Sequence, residues 1–101
     1  MKVLWTRAAL DHLADIYEYI ARDSARYARR MVDRITARSK QIGSFPESAP
    51  VVPEYADPTV REVVEGPYRV IYRVESDAVV VLAVIHAARL LPPLPPGERD
   101  T

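Results

Sequence analysis

With 101 residues, 49% of them apolar, the chain is long enough for one domain that buries a core without covalent staples. It has no cysteine, which excludes disulfides and thiolate metal sites, and no apolar run near the roughly 20 residues that a membrane helix needs. Fourteen basic side chains balance fourteen acidic ones, whereas a nucleic-acid binder more often carries a clear basic excess.

The first ten residues, MKVLWTRAAL, lack the apolar stretch and small-residue cleavage site of a secretory leader, so the expected location is the cytoplasm. Lys2 to Trp5 is rich in strand formers and reads as a β-strand, followed by Thr6 as a helix N-cap. From Arg7 to about Arg22, Leu10, Leu13, Ile16, Tyr17 and Ile20 recur at helical spacing, while Asp11, Asp15 and Glu18 fall on other faces. His12 takes a polar position there and is expected in solvent. Asp23 and Ser24 break the pattern and offer a second N-cap. A second helix then runs from about Ala25 to Ile42, with Ala25, Ala28, Val32, Ile35, Ser39 and Ile42 stepping by three and four. The short break makes the two an antiparallel hairpin, and Gly43 is the natural stop. Arg26, Arg29, Arg30, Arg34 and Arg38 cover the outer face of the second helix. Up to Ile42 there are nine Lys and Arg against five Asp and Glu, so the helical part is basic and the remainder acidic.

Ser44 to Thr59 carries four prolines, Pro46, Pro50, Pro53 and Pro58, and reads as a packed surface crossing pinned to the core by Phe45, Val51 and Val52. Three strands follow: Val60–Glu65, Tyr68–Glu75 and Ala78–His86, joined by turns at Gly66-Pro67 and Ser76-Asp77. Pro67 cannot take the positive φ that a type I′ turn needs at both central positions, so the first loop is expected to be longer than two residues. That leaves the facing of Arg61 and Glu62 open. Regular pairing across Ser76-Asp77 sets Val74 opposite Val79, Tyr72 opposite Val81 and Val70 opposite Ala83. The Val70, Tyr72 and Val74 face then meets the helices. The other face carries Arg69 and Arg73 beside Val80, Leu82 and Val84, with His86 further along. It is expected to be open, and an exposed apolar patch of that kind implies a partner. Ala78–His86 is apolar on both faces, so it should be central or covered. The fold class is therefore α+β, in the order β-α-α-β-β-β, with a helical hairpin on one face of a mainly antiparallel sheet. Residues 1–91 form the domain, and residues 92–101 a flexible proline-rich tail.

Common site signatures are absent. The only glycines are Gly43, Gly66 and Gly97, so there is no phosphate-binding loop, and His12 and His86 do not have metal-ligand spacing. No metal and no cofactor are expected. What remains is Arg69, Arg73, His86 and Arg89, with Arg61 or Glu62. Arginines hold phosphate by paired hydrogen bonds and stabilise developing charge, and a histidine moves protons near neutral pH. Such a set can cleave RNA by activating a 2′-hydroxyl. Equally, Arg69 and Arg73 can pair with Glu62 and Glu75 across strands, and His86 can be structural.

The order of elements, together with LADIYEYIA, FPESAPVVPE, PYRVIYRVE and VLAVIHAAR, resembles the RelE/ParE superfamily of bacterial toxins over about Lys2 to Arg89. The resemblance implies a toxin neutralised by a cognate antitoxin, in a toxin-antitoxin hetero-oligomer. RelE-like and YoeB-like members are ribosome-dependent mRNA endonucleases, and ParE-like members inhibit DNA gyrase. Arg69 matches the middle-strand arginine of the nucleases, and His86 the terminal-strand histidine of YoeB-like members, with Arg61 as a further catalytic candidate. Ala87 stands where YoeB-like enzymes have a tyrosine, and no tyrosine follows Tyr72. No general base is assigned among the carboxylates Glu47, Glu54 and Glu62. His86-Ala87-Ala88-Arg89 resembles the ending common in ParE-like sequences. The neutral charge also argues against a ribosome-binding nuclease. The expectation is thus a ParE-like gyrase inhibitor. Its partner surface is expected to comprise Arg69, Arg73, Val80, Leu82, Val84 and Arg89. The alternatives are a RelE-like or YoeB-like endonuclease, or a degenerate toxin that retains only antitoxin binding.

Overall fold

The computed structural model describes residues 1–94. Six elements follow in the expected order: β1 (Lys2–Trp5), α1 (Arg7–Ala21), α2 (Ala25–Ile42), β2 (Val60–Glu65), β3 (Tyr68–Val74) and β4 (Ala78–His86). Thr6 Oγ1 accepts a hydrogen bond from the Ala9 N–H and Ser24 Oγ one from the Tyr27 N–H, both at 3.1 Å, so each helix begins on a side-chain cap. The helices bury narrower stripes than periodicity alone suggests. Ala9 and Ile16 are fully inside on α1, while Leu10 and Tyr17 stay partly exposed. On α2 the stripe is Ala28, Met31, Ile35, Ser39 and Ile42; Met31 fills the step expected for Val32, which is only half-buried, and Ala25 is exposed. Gly43 keeps right-handed backbone, with φ of −61°. Its lack of a side chain matters because a Cβ there would collide with the carbonyl oxygen of Met1 beside β1.

The strands form one sheet in the order β1-β4-β3-β2. β1 runs parallel to β4, and the other neighbours are antiparallel. Glu65 pairs with Tyr68, so the loop between them is two residues after all. Of its two residues only Gly66 has a positive φ, 57°. A II′-type turn makes that demand at its first central position alone, and Pro67 satisfies the second.

One irregularity sets the facing of the whole sheet end. Val74 pairs with Val79 and Tyr72 with Val81, as regular alternation predicts. Ile71 then pairs with Ala83, so Leu82 is an extra residue in β4. The bulge shifts the phase of everything beyond it by one residue. Val70 therefore pairs with Val84 rather than Ala83. Val84 packs with Val70, Tyr72, Val79 and Val81 under the helices, while Leu82 and Ala83 both face the other side. Val84 is thus not a neighbour of Arg69 and Arg73, and neither is His86.

The second face is covered, not open. Val52, Val60, Ile71, Val80, Leu82 and Ala83 form a second core there, with Tyr55, Ile85, Leu91 and Leu94 packed against it. Val80 and Leu82 are 0% exposed. Burying each side chain of this size gains about 1.5–3 kcal/mol, so a chain with a crossing long enough to reach this face covers it. The crossing between α2 and β2 does so through Val52 and Tyr55. It also adds a short antiparallel bridge, Val51 to Arg61, on the free edge of β2. Phe45, expected to pin the crossing, is 73% exposed, and Val51 also stays at the surface. Leu91 and Leu94 extend the cover, and Tyr55 Oη donates to the Pro92 carbonyl at 2.8 Å. The first part of the proline-rich tail is therefore seated on the domain. The remainder of the expected tail, 95–101, lies outside the described residues.

β1 is shorter than β4, and α1 completes the edge that it leaves. Beyond Val81, Thr6 Oγ1 donates to the Leu82 carbonyl at 3.3 Å, and the Val84 N–H donates to His12 Nδ1 at 3.2 Å. His12 is therefore half-buried and functions as a neutral acceptor, not as a solvated surface group. Burial lowers its pKa from 6.5, with Asp15 and Asp11 pulling weakly the other way. A base whose pKa is lowered by folding contributes stability that is complete above its unfolded value. That stability is lost as pH falls from about 6.5 through the lowered folded value. His12→Phe should leave the Val84 N–H unsatisfied, costing about 1–3 kcal/mol at neutral pH. It should also flatten the loss of stability between pH 6.5 and about 5 in urea melts. A variant as pH-dependent as the native chain over that range would contradict this role.

Candidate functional site

Arg69 lies on β3 opposite Val64 and Ile85, on the covered face. Its guanidinium is shared between two carboxylates. Nε and Nη2 donate to Glu62 Oε1 and Oε2 at 2.6 and 3.0 Å, and Nη1 and Nη2 donate to Glu54 Oε2 and Oε1 at 2.6 and 2.8 Å. The Arg69 and Glu62 side chains are 13% and 12% exposed. Glu62 reaches Arg69 because β2 pairs Glu62 with Ile71 and so settles the facing that the sequence left open. Glu54 arrives from the crossing. Hydrogen bonds from Arg69 hold the Glu54 carboxyl below its ordinary range, and the two carboxylates hold Arg69 firmly protonated. Doubly bidentate pairing of this kind is how an arginine fastens two segments together. A cleft of about 680 Å³ lies between it and the segment from Leu91 to Leu94.

The other two arginines of the sheet also grip the crossing. Arg61 points to the helix side, opposite Tyr72, and its Nη1 donates to the carbonyls of Glu47 and Ala49 at 3.2 and 2.6 Å. Tyr72 Oη donates to the Pro46 carbonyl at 2.8 Å beside it. Arg73 stands 3.9 Å from Asp57, whose carboxylate accepts from the N–H and hydroxyl of Thr59. These Thr59 bonds, with a smaller contribution from Arg73, hold the Asp57 carboxyl below its usual range. Arg61, a catalytic candidate from sequence, and Arg69 and Arg73 are thus occupied in fixing residues 46–57.

His86 is elsewhere. The bulge turns it to the helix side, where its ring meets Tyr68 edge-on, with centroids 5.5 Å apart and planes at 85°. Its Nδ1 accepts from the Ala88 N–H at 3.0 Å, which leaves Nε2 as the protonated nitrogen of the neutral ring. Burial raises the Tyr68 hydroxyl; Tyr19 and Tyr27 reinforce this, and Arg89 opposes it. Arg89, just beyond β4, is exposed and lines the cleft that Arg69, Glu54 and Tyr55 share. The sequence-predicted set divides: Arg69 and Arg73 lie on one face, Arg89 lines the cleft beside Arg69 and Glu54, and His86 lies on the helix side. Arg69 and His86 do not converge on one point.

Sequence reasoning missed the roles of Glu54 and Tyr68. The Glu54 pairing left no signal, because the crossing has no periodicity to give its geometry. Tyr68 could have been found, since it is the residue that a two-residue turn sets opposite Glu65. Among the described residues there is no cluster of three or more His, Asp or Glu side chains able to hold a metal ion. No helix among them is long and apolar enough to cross a membrane.

Comparison with known proteins gives consistent relationships. Residues 3–91 match the family model described as the ParE toxin of a type II toxin-antitoxin system, parDE. The chain is 36% identical over 90 residues to Toxin RelE2 of Caulobacter vibrioides, covering 88% of this chain and 98% of that protein. It superposes on the solved chromosomal ParDE toxin-antitoxin system from P. aeruginosa with a TM-score of 0.71 at 24% identity, over 85% of this chain and 95% of that one. The last likeness shows the fold, two helices packed on one face of a four-stranded mixed sheet.

Proposed function

Because the chain belongs to the ParE toxin family, and is thus the toxin component of a type II toxin-antitoxin system, we propose that it acts by binding and inhibiting DNA gyrase in the cytoplasm, not by cleaving RNA. A cognate antitoxin holds it silent in a hetero-oligomeric complex, and its release arrests growth. The observation that carries this reading is the separation of Arg69 from His86. Cleavage of an RNA phosphodiester needs a cation on the scissile phosphate and a proton-transfer group within hydrogen-bond reach of the same phosphate or its 2′-hydroxyl. Here the cation is neutralised by two carboxylates on one face, and the imidazole lies on the other side of the sheet. To free Arg69 for a phosphate would break four charge-assisted hydrogen bonds and detach the crossing.

Purified toxin added to gyrase and relaxed plasmid is the direct test. Inhibition of supercoiling that is reversed by one equivalent of antitoxin is the expected result. Unimpaired supercoiling at large molar excess, together with codon-linked cuts in translated mRNA by primer extension, would replace this reading with the endonuclease. A chain that neither blocks gyrase, cuts mRNA nor arrests growth would be a degenerate toxin that retains only antitoxin binding.

A further inference from the structure

Helix α2 carries five arginines and one lysine against a single acidic side chain, Asp33. Four of the arginines, Arg26, Arg30, Arg34 and Arg38, follow one another at intervals of four residues. Residues so spaced form one ridge along a helix, about 6 Å per step and about 18 Å from end to end. Arg29 stands beside its first two members. Arg26, Arg29, Arg30 and Arg34 are exposed, and Arg38 is half-buried. Arg34 Nη2 meets Glu65 Oε2 of β2 at 2.6 Å. Arg38 Nη1 donates to the neutral Gln41 Oε1 at 3.0 Å, which leaves its charge uncompensated. Arg26, Arg29 and Arg30 form no ion pair with a carboxylate of the described residues. This arrangement works against the helix that holds it. Like charges four residues apart repel, and the ridge makes three such pairs. Arg26, Arg29 and Arg30 also fall within the first six residues of α2, where the helix dipole favours acids, and the first turn holds none. They serve no packing, because the buried stripe of α2 lies on its opposite side. A counter-charge from outside the chain removes the repulsion.

The form of the ridge says what that counter-charge is. Tyr27, at the first turn, is the only large apolar side chain exposed on α2, so the ridge lacks the apolar centre of a protein-protein interface. A guanidinium fork matches the oxygens of a phosphate. A duplex carries a phosphate about every 3.4 Å of axis along each strand, so a ridge of about 18 Å spans several of them. The neutral balance of the whole chain does not oppose this, because the basic helical part and the acidic remainder are segregated and the local field is positive. We propose that the arginine ridge of α2 lies against the phosphate backbone of a DNA duplex, the duplex held by the toxin's target. The proposal rests on the reading of that target as DNA gyrase, and it adds a second contact: the toxin touches the DNA as well as the enzyme. A contact to phosphates positions the toxin without reading base sequence.

The test compares the full native chain with the triple variant Arg26→Gln, Arg29→Gln, Arg30→Gln and with the same three positions changed to Lys. All three positions are exposed, and the Gln variant should melt at or above the native temperature because the repulsion is relieved. Binding to a labelled DNA duplex of arbitrary sequence is followed by fluorescence anisotropy over a salt series. The affinity of the native toxin should fall steeply with salt. The Gln variant should bind at least about tenfold more weakly at low salt, with a logarithmic salt slope shallower by about 3. The Lys variant, which keeps the charges, should keep the slope. In the supercoiling assay the Gln variant should need at least about tenfold more protein, while its antitoxin affinity by calorimetry stays within about threefold. Equal duplex binding by the native and Gln proteins, or equal inhibition of supercoiling, overturns the proposal. So does a tenfold loss of antitoxin affinity with duplex binding intact, which would give the ridge to the antitoxin. Duplex RNA bound at least tenfold more tightly than duplex DNA overturns it as well. If the native toxin leaves gyrase untouched, the gyrase reading fails, and the duplex-binding arm, which contains no gyrase, still decides whether the ridge holds phosphate.

Discussion

Replacing Tyr72 by alanine should remove about 3–5 kcal/mol of stability, the range for deleting a large buried aromatic. Tyr72→Phe should cost only about 1 kcal/mol. Tyr72 is 0% exposed and is among the largest wholly buried side chains of the described residues. Its ring packs between the sheet and the helices, with Val70, Val81 and Ile35 in the same cluster. Its hydroxyl, raised in pKa chiefly by burial, donates to the Pro46 carbonyl and anchors the crossing where that segment leaves α2. The two variants separate these roles. Alanine empties the core, and phenylalanine releases only the crossing. For a domain that holds about 5–15 kcal/mol in all, the alanine variant should be marginal at 37 °C. Chemical denaturation followed by circular dichroism measures both values. Equal losses for Ala and Phe would mean that the hydroxyl, not the ring, carries the contribution of Tyr72.

The helices and strands were legible because each had a period or a cap. Leu13, Ile16 and Ile20 gave α1, Thr6 and Ser24 marked the two starts, and β-branched runs gave β2, β3 and β4 with nearly the observed bounds. The phase of β4 was not legible. From Ala78 to Ile85 every residue is apolar, so the strand reads alike with or without an extra residue. The bulge at Leu82 decides which side Val84 and His86 take. That is why regular alternation set His86 beside Arg69 and built a catalytic group that the fold divides. The cover of the second face was hidden for a different reason. Residues 44–59 have no periodicity, and the contacts of Val52, Tyr55 and Glu54 depend on a path that only tertiary structure defines. His12 was misplaced because it is polar itself and stands outside the Leu10, Leu13, Ile16 and Ile20 repeat; what buries it is the unpaired edge of β4 beyond a short β1.

Arg69 is the residue on which the binding and nuclease readings differ most, and its replacement should act on stability first. Removing the guanidinium in Arg69→Ala leaves Glu62, whose side chain is 12% exposed, beside the Glu54 carboxylate with nothing to neutralise either. Losing one member of a desolvated ion pair is far more costly than never having the pair. The site lies near the surface, so the cost should be about 2 kcal/mol, not the larger value of a deep pair. Arg69→Lys should recover only part of it, since one ammonium cannot make two bidentate contacts. The loss should shrink in acid. The Glu54 carboxyl is depressed in the folded state, so its contribution is complete above its unfolded value and disappears as pH falls through the lower folded one. The functional consequence separates the two readings. If Arg69 only fastens the crossing, the triple variant Arg69→Met, Glu54→Gln, Glu62→Leu, which removes the charges together, should regain stability and arrest growth as the native chain does. If Arg69 stabilises a scissile phosphate, that variant should be folded, bind antitoxin and be inert. Melting temperature, antitoxin affinity and growth arrest, measured on the same three proteins, distinguish a clamp from a catalyst.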